Sequence, residues 1–272
     1  MKLAGGGATM PQFERYIGVD YSGAETAESS LKGLRVYAVK QHGEPKEVPP
    51  RVHPSLGHRK YWSRRGIAEW LAAELSADPP ALVGIDHGFS FPSEYFETHS
   101  LTLDWTSFLD DFQRHWPTDE ENIYVDFVRE GLRGNGALRC GKATWRRLTE
   151  KRCRAKSVFH FDVQGSVAKS THSGIPWLRY IRAHTLGQVH FWPFDGWQIP
   201  EGKSAIVEVY PALWSKSFHP EDRDAHQHDA YSIAAWLCRA DVERTLGRFL
   251  TPCLNNEERS IAEFEGWILG VP

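Results

Sequence analysis

Two short apolar segments that each end in an aspartate place the strongest constraint on how this chain can fold. YIGVD runs from residue 16 to Asp20 and is followed by Ser22 and Gly23, and ALVGID runs from residue 81 to Asp86. Such runs, bounded by turn residues, are typical of strands, and the second predicts a strand covered on both faces. An ionised carboxylate at the end of a buried strand is costly unless a cation or a donor meets it.

Two further acids lie in apolar surroundings. Glu208 stands in SAIVEVYPALW, and Asp229 stands in HQHDAYSIAAWL. In the helix predicted to begin after Asp224, Asp229 and Ile233 are four residues apart, so Asp229 lies on the apolar stripe and faces inward. Four acids of this kind suggest a shared positive partner, and the leading hypothesis is a site for a divalent metal ion with oxygen ligands.

The order of predicted elements indicates an α/β fold. Strands are expected at 34–40 and near 47–53, then a helix with Ser63 as its N-cap, then the strand that ends at Asp86. VHFWPFDGW and SAIVEVYPALW supply two more strand candidates, and a short helix is expected within 255–272. In an open α/β sheet the functional crevice lies at the strand ends, where Asp20 and Asp86 are expected.

Composition excludes several classes of protein. A net charge of −3, with 41% hydrophobic and 25% charged residues, is typical of a soluble globular protein and favours no particular partner. The four cysteines form no CxxC pair, so they are expected to be reduced thiols rather than metal ligands. No apolar run reaches about 18 residues, so we expect a cytoplasmic protein without membrane contact.

One domain is expected over 16–250, with a flexible tail at 1–15, an insertion at about 93–160 after the fourth strand, and a C-terminal extension at 251–272 packed on the domain. Between residues 129 and 156 there are ten Arg or Lys against two Glu. This stretch is either a solvated helical face or a surface for an anionic substrate. The candidate substrate-binding residues are Lys142, Arg146, Arg152, Lys156 and Lys169.

A polar, flexible loop is predicted at 165–174, because that stretch is rich in Ser, Thr and Gly. Pro176 would then lie near the first turn of the helix that follows. The loop is expected either to bind phosphate through backbone amides or to serve as a hinge.

Four segments resemble a known family. IGVDYSGA, VGIDHGFSFP, VEVYPALW and HDAYSIAAWL, in this order, are similar to the predicted nucleases of domain-of-unknown-function family 429, in the ribonuclease H-like superfamily. The resemblance spans most of residues 16–240. It implies a five-stranded mixed sheet flanked by helices, with metal-binding acids at Asp20 on the first strand, Asp86 on the fourth strand and Asp229 on the final helix.

The fourth acid is left open by the resemblance. Glu208 fits the fifth-strand motif of the narrower family, whereas the wider superfamily often takes this acid from the first helix, which here offers Glu69 and Glu74. The alternative for Glu208 is that it pairs with an arginine in the core instead of binding a metal. His87 is expected to be structural and to donate to a backbone carbonyl. His226 and His228, two apart on a helix, are expected to face different directions.

The sequence therefore predicts a metal-dependent phosphodiesterase or nuclease, with Asp20, Asp86, Glu208 and Asp229 as catalytic residues and Mg²⁺ or Mn²⁺ as cofactor. Its partner is expected to be nucleic acid or another phosphoester, and the oligomeric state is left open. One alternative is an ATP-dependent phosphotransferase of the actin or sugar-kinase type, which requires a second copy of the core. The other is a binding protein that keeps the fold without turnover.

Overall fold

The computed structural model describes residues 12–52, 57–163 and 165–272, and these form an α/β fold around one mixed sheet of six strands. The sheet order is β3-β2-β1-β4-β6-β5. The strands are β1 (Arg15–Asp20), β2 (Arg35–Lys40), β3 (Lys46–Glu47), β4 (Ala81–Asp86), β5 (Val189–Trp192) and β6 (Ser204–Glu208).

The count of five strands implied by the resemblance is wrong, because β5 pairs with β6 in parallel and adds a further strand at the sheet edge. This strand lies in VHFWPFDGW, one of the strand candidates in the sequence. The third strand is also shorter than the predicted 47–53, since β3 ends before Pro49 and Pro50. Proline has no amide hydrogen for a sheet ladder, so strands stop at it or run along an edge. Residue 53 lies outside the described residues.

Helices flank both faces of the sheet. The first is α1 (Arg64–Leu75), which Ser63 caps as predicted by accepting a hydrogen bond from the backbone N of Gly66. The remaining helices are α2 (Ser93–Thr98), α3 (Trp105–His115), α4 (Val125–Arg129), α5 (Leu148–Cys153), α6 (Ala168–His184), α7 (Ala225–Val242), α8 (Leu246–Leu250) and α9 (Asn256–Glu265).

The pairing of β1 with β4 brings the two strand-end aspartates together. The two strands are parallel, and Asp20 is the register partner of Asp86. Neighbouring strands lie about 4.8 Å apart, and register partners point to the same face. The prediction that Asp20 and Asp86 end neighbouring strands is therefore confirmed.

Two glycines on that same face allow α7 to lie close to the sheet. Gly18 and Gly84 are register partners two residues before Asp20 and Asp86. A Cβ added at Gly18 would lie 2.2 Å from the backbone oxygen of Ala230, a distance that no real Cβ adopts. Because side chains alternate along a strand, the face that packs against α7 also carries both aspartates.

The helix α7 begins as the sequence predicts. Asp224 accepts a hydrogen bond from the backbone N of Gln227, and the side chain of Gln227 accepts one from the backbone N of Asp224. This reciprocal pair satisfies two amides at the N-terminus of the helix. The cap fixes the start of α7, and so fixes which residues of its first turns face the sheet.

The predicted loop at 165–174 is wrong for most of its length. Helix α6 already begins at Ala168, and Pro176 lies inside the helix rather than near its first turn. The Ser and Thr residues that suggested a loop pack tightly here: Thr171 is fully buried and its Oγ1 accepts a hydrogen bond from the backbone N of Gly88 at 2.9 Å. Small side chains allow α6 to approach the strand ends closely, which outweighs their low helix propensity.

The predicted insertion contains α2 to α5, and the C-terminal residues pack on the sheet. Ile268 forms a parallel bridge to Glu208, and Trp267 is fully buried. The short C-terminal helix expected within 255–272 is α9, which Asn255 caps. Of the predicted N-terminal tail at 1–15, residues 1–11 lie outside the described residues. Among the described residues, no helix has the length and apolar character needed to cross a bilayer.

The close approach of α7 to β1 can be tested with one methyl group. Gly18→Ala forces the helix backbone away from the sheet, and we expect a loss of about 3 kcal/mol in the free energy of unfolding. Gly247→Ala is the matched control, because no heavy atom lies within 4 Å of a Cβ at this helical position. Urea unfolding measures both, and equal stability of the two variants would contradict the packing described here.

Candidate functional site

Asp20 lies at the C-terminal end of β1 and is 6% exposed. Its Oδ2 is 2.7 Å from Nδ1 of His226, on the first turn of α7. Burial raises the pKa of Asp20 to about 6, while the hydrogen bond and the charge of His226 lower it and Asp229 raises it further. The hydrogen bond to Asp20 in turn raises the pKa of His226.

Asp86 and Asp229 complete a group of three aspartates. Burial raises the pKa of Asp86 well above its usual value, and the negative charges of Asp20, Asp229 and Glu208 raise it further. Burial also raises the pKa of Asp229. Because Asp229 acts on both other aspartates, the three carboxylates are close enough to repel one another. The structure thus places Asp229 near enough to Asp20 and Asp86 for its charge to raise the pKa of both.

His226 is the member of this group that sequence reasoning missed. The prediction that His226 and His228 face different directions is confirmed, since His228 Nε2 is 3.1 Å from the backbone oxygen of Ser215. However, His226 and Asp229 are three residues apart and share a helix face. This spacing can be read from the sequence, and it would have predicted that His226 lies beside Asp229.

The loop after Asp20 is held by a buried arginine. Nη1 of Arg64 donates to the backbone oxygens of Ser22 and Ala24, and Nη2 donates to that of Glu25. Arg64 is fully buried in α1, and burial lowers its pKa. Three carbonyl acceptors on one guanidinium fix the backbone that follows Asp20, and so limit where its carboxylate can move.

Glu208 is placed differently from the three aspartates. It is 3% exposed, and its Oε2 and Oε1 accept hydrogen bonds from Nη1 and Nη2 of Arg147 at 2.7 Å and 2.5 Å. Its Oε2 also accepts one from the backbone N of Phe89 at 3.0 Å. The alternative in which Glu208 pairs with a core arginine is therefore the arrangement observed.

The sheet register explains this difference. Glu208 is the register partner of Ile85, not of Asp86. Because successive side chains point to opposite faces, Glu208 points away from the face that carries Asp20 and Asp86. It points instead toward the face covered by the insertion, which supplies Arg147. The pair also anchors the loop that follows Asp86, through Phe89.

His87 has the structural role predicted for it. It is 2% exposed, and its Nδ1 is 2.8 Å from the backbone oxygen of Gly88. Burial lowers the pKa of His87 to about 4, so the ring is neutral near pH 7. Its ring packs against Tyr21 with the centroids 4.5 Å apart, which ties the residues that follow Asp20 and Asp86 to each other.

An open cleft of about 670 Å³ borders Asp20 and His226. Lys169, a predicted substrate-binding residue, lines this cleft, and its Nζ lies 2.7 Å from Oδ2 of Asp126. Tyr124 lines the same cleft. Of the three aspartates, Asp20 lines this cleft together with Lys169.

The other predicted substrate-binding residues are spread out. Lys156 lines a small cavity of about 30 Å³ beside Asp86. Lys142 lies over the ring of Trp145, Arg146 donates to the backbone oxygen of Glu150, and Arg152 donates to Glu258. These last three line neither the cleft nor the small cavity.

The basic stretch 129–156 is therefore not one cationic surface. Half of its ten Arg and Lys residues form ion pairs with acids from other parts of the chain or from the stretch itself. These residues are Arg129, Arg139, Arg147, Lys151 and Arg152. Sequence composition could count the positive charges but not the distant acids that neutralise them.

The two alternative fourth ligands on α1 do not join the aspartates. Glu74 pairs with Arg15 at 2.8 Å near the opposite end of β1 from Asp20. Glu69 lines a separate pocket formed with Trp62 and Trp70. Neither glutamate of α1 therefore belongs to the group of Asp20, Asp86, Asp229 and His226.

The chemistry of this donor set fits a divalent cation. Carboxylate oxygens are hard ligands, and within the described residues no hydrogen-bond donor meets the carboxylate of Asp86 or that of Asp229. Among residues 12–52, 57–163 and 165–272, however, no group of three His, Cys, Asp or Glu side chains is arranged to hold a metal ion. A cation at this place requires the side chains to reorient, beginning with Asp20, which is held by His226.

Comparison with known proteins yields no match, whether to a known protein family, a curated protein or a solved structure.

The raised pKa of Asp20 predicts a pH-dependent cost. A raised folded-state pKa gives stability that is present below about pH 4 and is lost as the pH rises through about 6. Asp20→Asn removes the ionisation, so without divalent cations we expect the variant to be more stable than the wild type by about 1–3 kcal/mol at pH 8. The difference should shrink toward pH 4. Urea unfolding in EDTA measures it, and a less stable variant at pH 8 would contradict the prediction.

Glu208→Gln should have the opposite effect. It weakens the buried pair and leaves Arg147 with less compensation, so we expect a loss of about 3 kcal/mol in the free energy of unfolding at pH 8. The control is Asp162→Asn, which removes an exposed partner of Arg129, and there we expect no measurable change. A stability gain in Glu208→Gln would place Glu208 with the three aspartates instead.

Proposed function

We propose that the protein is a metal-dependent phosphodiester hydrolase, most simply a nuclease, with a ribonuclease H-like fold. The observation that carries the proposal is the group of Asp20, Asp86 and Asp229: desolvation raises the pKa of each carboxyl, the charge of Asp229 raises the pKa of Asp20 and Asp86 further, and His226 meets Asp20. Such a group is unfavourable by itself and is stabilised by a bound divalent cation.

The origin of the three aspartates supports the fold assignment. They come from the first strand, from the fourth strand beside it, and from α7, the helix packed on both. These are the positions implied by the resemblance to family 429. The additional strand, β5, lies at the sheet edge beyond β6 and leaves the arrangement of β1, β4 and α7 unchanged.

Each residue has a separate role in the proposed reaction. Asp20, Asp86 and Asp229 would hold Mg²⁺ or Mn²⁺, which would supply an activated water and stabilise negative charge on the phosphate. His226 orients the carboxylate of Asp20 through its hydrogen bond. Lys169 breaks its ion pair with Asp126 and binds the substrate phosphate in the cleft instead. Nucleic acid or another phosphoester fits this arrangement.

Glu208 holds a positioning role in this proposal rather than a catalytic one. It fixes the backbone of Phe89, three residues after Asp86, while Arg147 neutralises its charge. The phosphotransferase alternative needs a duplicated core, and the described residues contain a single sheet.

Asp86→Asn tests the proposal directly. We expect Mn²⁺-dependent cleavage of single-stranded DNA, RNA or bis(p-nitrophenyl) phosphate to fall by at least about 100-fold, since even outer-shell partners of a metal contribute 10- to 100-fold. The fold should persist, because the substitution removes an unfavourable charge. The matched control is Asp110→Asn, at an exposed pair with Arg179, with activity unchanged. Equal activity of Asp86→Asn and the wild type would reject the proposal.

A further inference from the structure

The open cleft beside Asp20 lies between two walls. One is the loop that follows β1, which packs on the start of α6, since a Cβ at Gly23 would lie 2.1 Å from the backbone carbonyl carbon of Lys169. The other is the start of α4 in the insertion, from which Tyr124 and Asp126 line the cleft. At about 670 Å³ the cleft has the size of a site for one small organic molecule. It therefore suits a single nucleotide unit rather than the side of a duplex.

Tyr124 offers an aromatic surface to this cleft. Its ring packs against that of Phe127, with the centroids 4.0 Å apart, and Tyr124 is half-buried. Tyr21, which also lines the cleft, is buried and packs against His87 instead. A half-buried ring that is held by one neighbour and borders a cleft is the kind of platform on which an unpaired base stacks.

The charges that line the cleft nearly cancel. Lys169 lies 2.7 Å from Asp126, and His226 lies 2.7 Å from Asp20. Glu25, which is exposed, adds a third acid. The described lining residues thus carry no excess of positive charge, so the affinity of this cleft for nucleic acid does not come from neutralising many phosphates.

Lys169 provides one phosphate contact at little cost. The side chains of Lys169 and Asp126 are 43% and 33% exposed, and an ion pair with this exposure contributes little to stability. A phosphate oxygen can therefore replace the carboxylate of Asp126. Serine and threonine hydroxyls that also line the cleft offer hydrogen bonds to a sugar or a base; they belong to Ser22, Thr26, Ser29, Ser166 and Ser170.

We propose that this cleft binds one unpaired nucleotide of a single-stranded nucleic acid, with the base on Tyr124 and the phosphate on Lys169. This inference rests on the proposed function, whose substrate it names, but the binding itself requires no metal ion. A base inside a duplex is already stacked on its neighbours and is not available to Tyr124. The cleft therefore selects single strands over duplexes, and the insertion acts through one aromatic ring rather than through its basic composition.

Binding of labelled oligonucleotides to the full chain tests the inference. Fluorescence anisotropy in EDTA at neutral pH excludes both metal and cleavage. The probes are single strands of DNA and of RNA about eight nucleotides long, within the site sizes of single-strand binders. We expect at least one of them to bind more tightly than a hairpin duplex, and more tightly than an abasic strand with the same number of phosphates.

The salt dependence of this binding should be shallow. One phosphate contact on a single strand predicts a slope of about −0.7 in log K against log salt. A slope several times steeper would overturn the inference. So would equal binding of the abasic and the normal strand, tighter binding of the duplex, or no binding of either single strand.

Tyr124→Ala tests the stacking contact. We expect the single strand to bind about 5- to 150-fold more weakly, the range for truncation of a ring that stacks on a base. Tyr124→Phe keeps the ring and should bind as the wild type does. The matched control is Tyr180→Ala, at a half-buried ring stacked on His184 with centroids 3.8 Å apart and outside the cleft, with binding unchanged.

Unchanged binding in Tyr124→Ala would overturn the inference. If Tyr124→Ala does not fold, the comparison of the abasic and the normal strand on the wild type decides alone.

Asp126→Asn tests the phosphate contact in the opposite direction. It frees Lys169 and removes a negative charge beside the phosphate, so we expect the single strand to bind more tightly. Lys169→Met should bind it more weakly and remove most of the salt dependence. Weaker binding in Asp126→Asn, or an unchanged salt dependence in Lys169→Met, would overturn the assignment of the phosphate to Lys169.

The inference and the proposed function fail in different ways. Stacking-dependent binding of single strands without Mn²⁺-dependent cleavage would support the inference and reject the proposed function. Mn²⁺-dependent cleavage that is equal on single strands and duplexes, and unaffected by Tyr124→Ala, would overturn the inference and leave the proposed function standing.

Discussion

The close packing of α7 on the central strands is the constraint on which the rest of the structure depends. It is possible because Gly18 and Gly84 present no side chain to the helix. The same alternation that turns these glycines toward α7 turns Asp20 and Asp86 toward it two residues later. Asp229, near the start of α7, then completes the group, so a packing requirement and a carboxylate cluster share one origin.

Alternation also separates the acids into two groups with different partners. Asp20 and Asp86 lie on the α7 face and lack a strong resident cation, while Glu208 lies on the other face and has Arg147. Burial raises the pKa of a carboxylate that has no partner, and its ionised form destabilises the fold. A bidentate arginine offsets this effect of burial. The first situation suits a group that binds a cation, and the second suits a group that positions the backbone.

The insertion contributes to the site although its basic composition is misleading. Most of the arginines that suggested a nucleic-acid surface are held by acids distant in the sequence, such as Asp111 for Arg139 and Glu258 for Arg152. Composition counts charges, but only the fold decides which of them are neutralised. The residue of this stretch with the clearest place near the site is Arg147, and it is buried.

The sequence by itself determined the strands that end in Asp20 and Asp86, the caps at Ser63 and Asp224, and the inward face of Asp229, because these follow from local periodicity and capping. It did not determine that β5 joins the sheet edge beside β6, that a helix starts at Ala168, or which residue pairs with Glu208. Those depend on strand register and on contacts between distant residues, for which a short apolar run or a Ser-rich stretch carries no signal. Tertiary structure alone decided that a shift of one register position turns Glu208 to the opposite face of the sheet from Asp20 and Asp86.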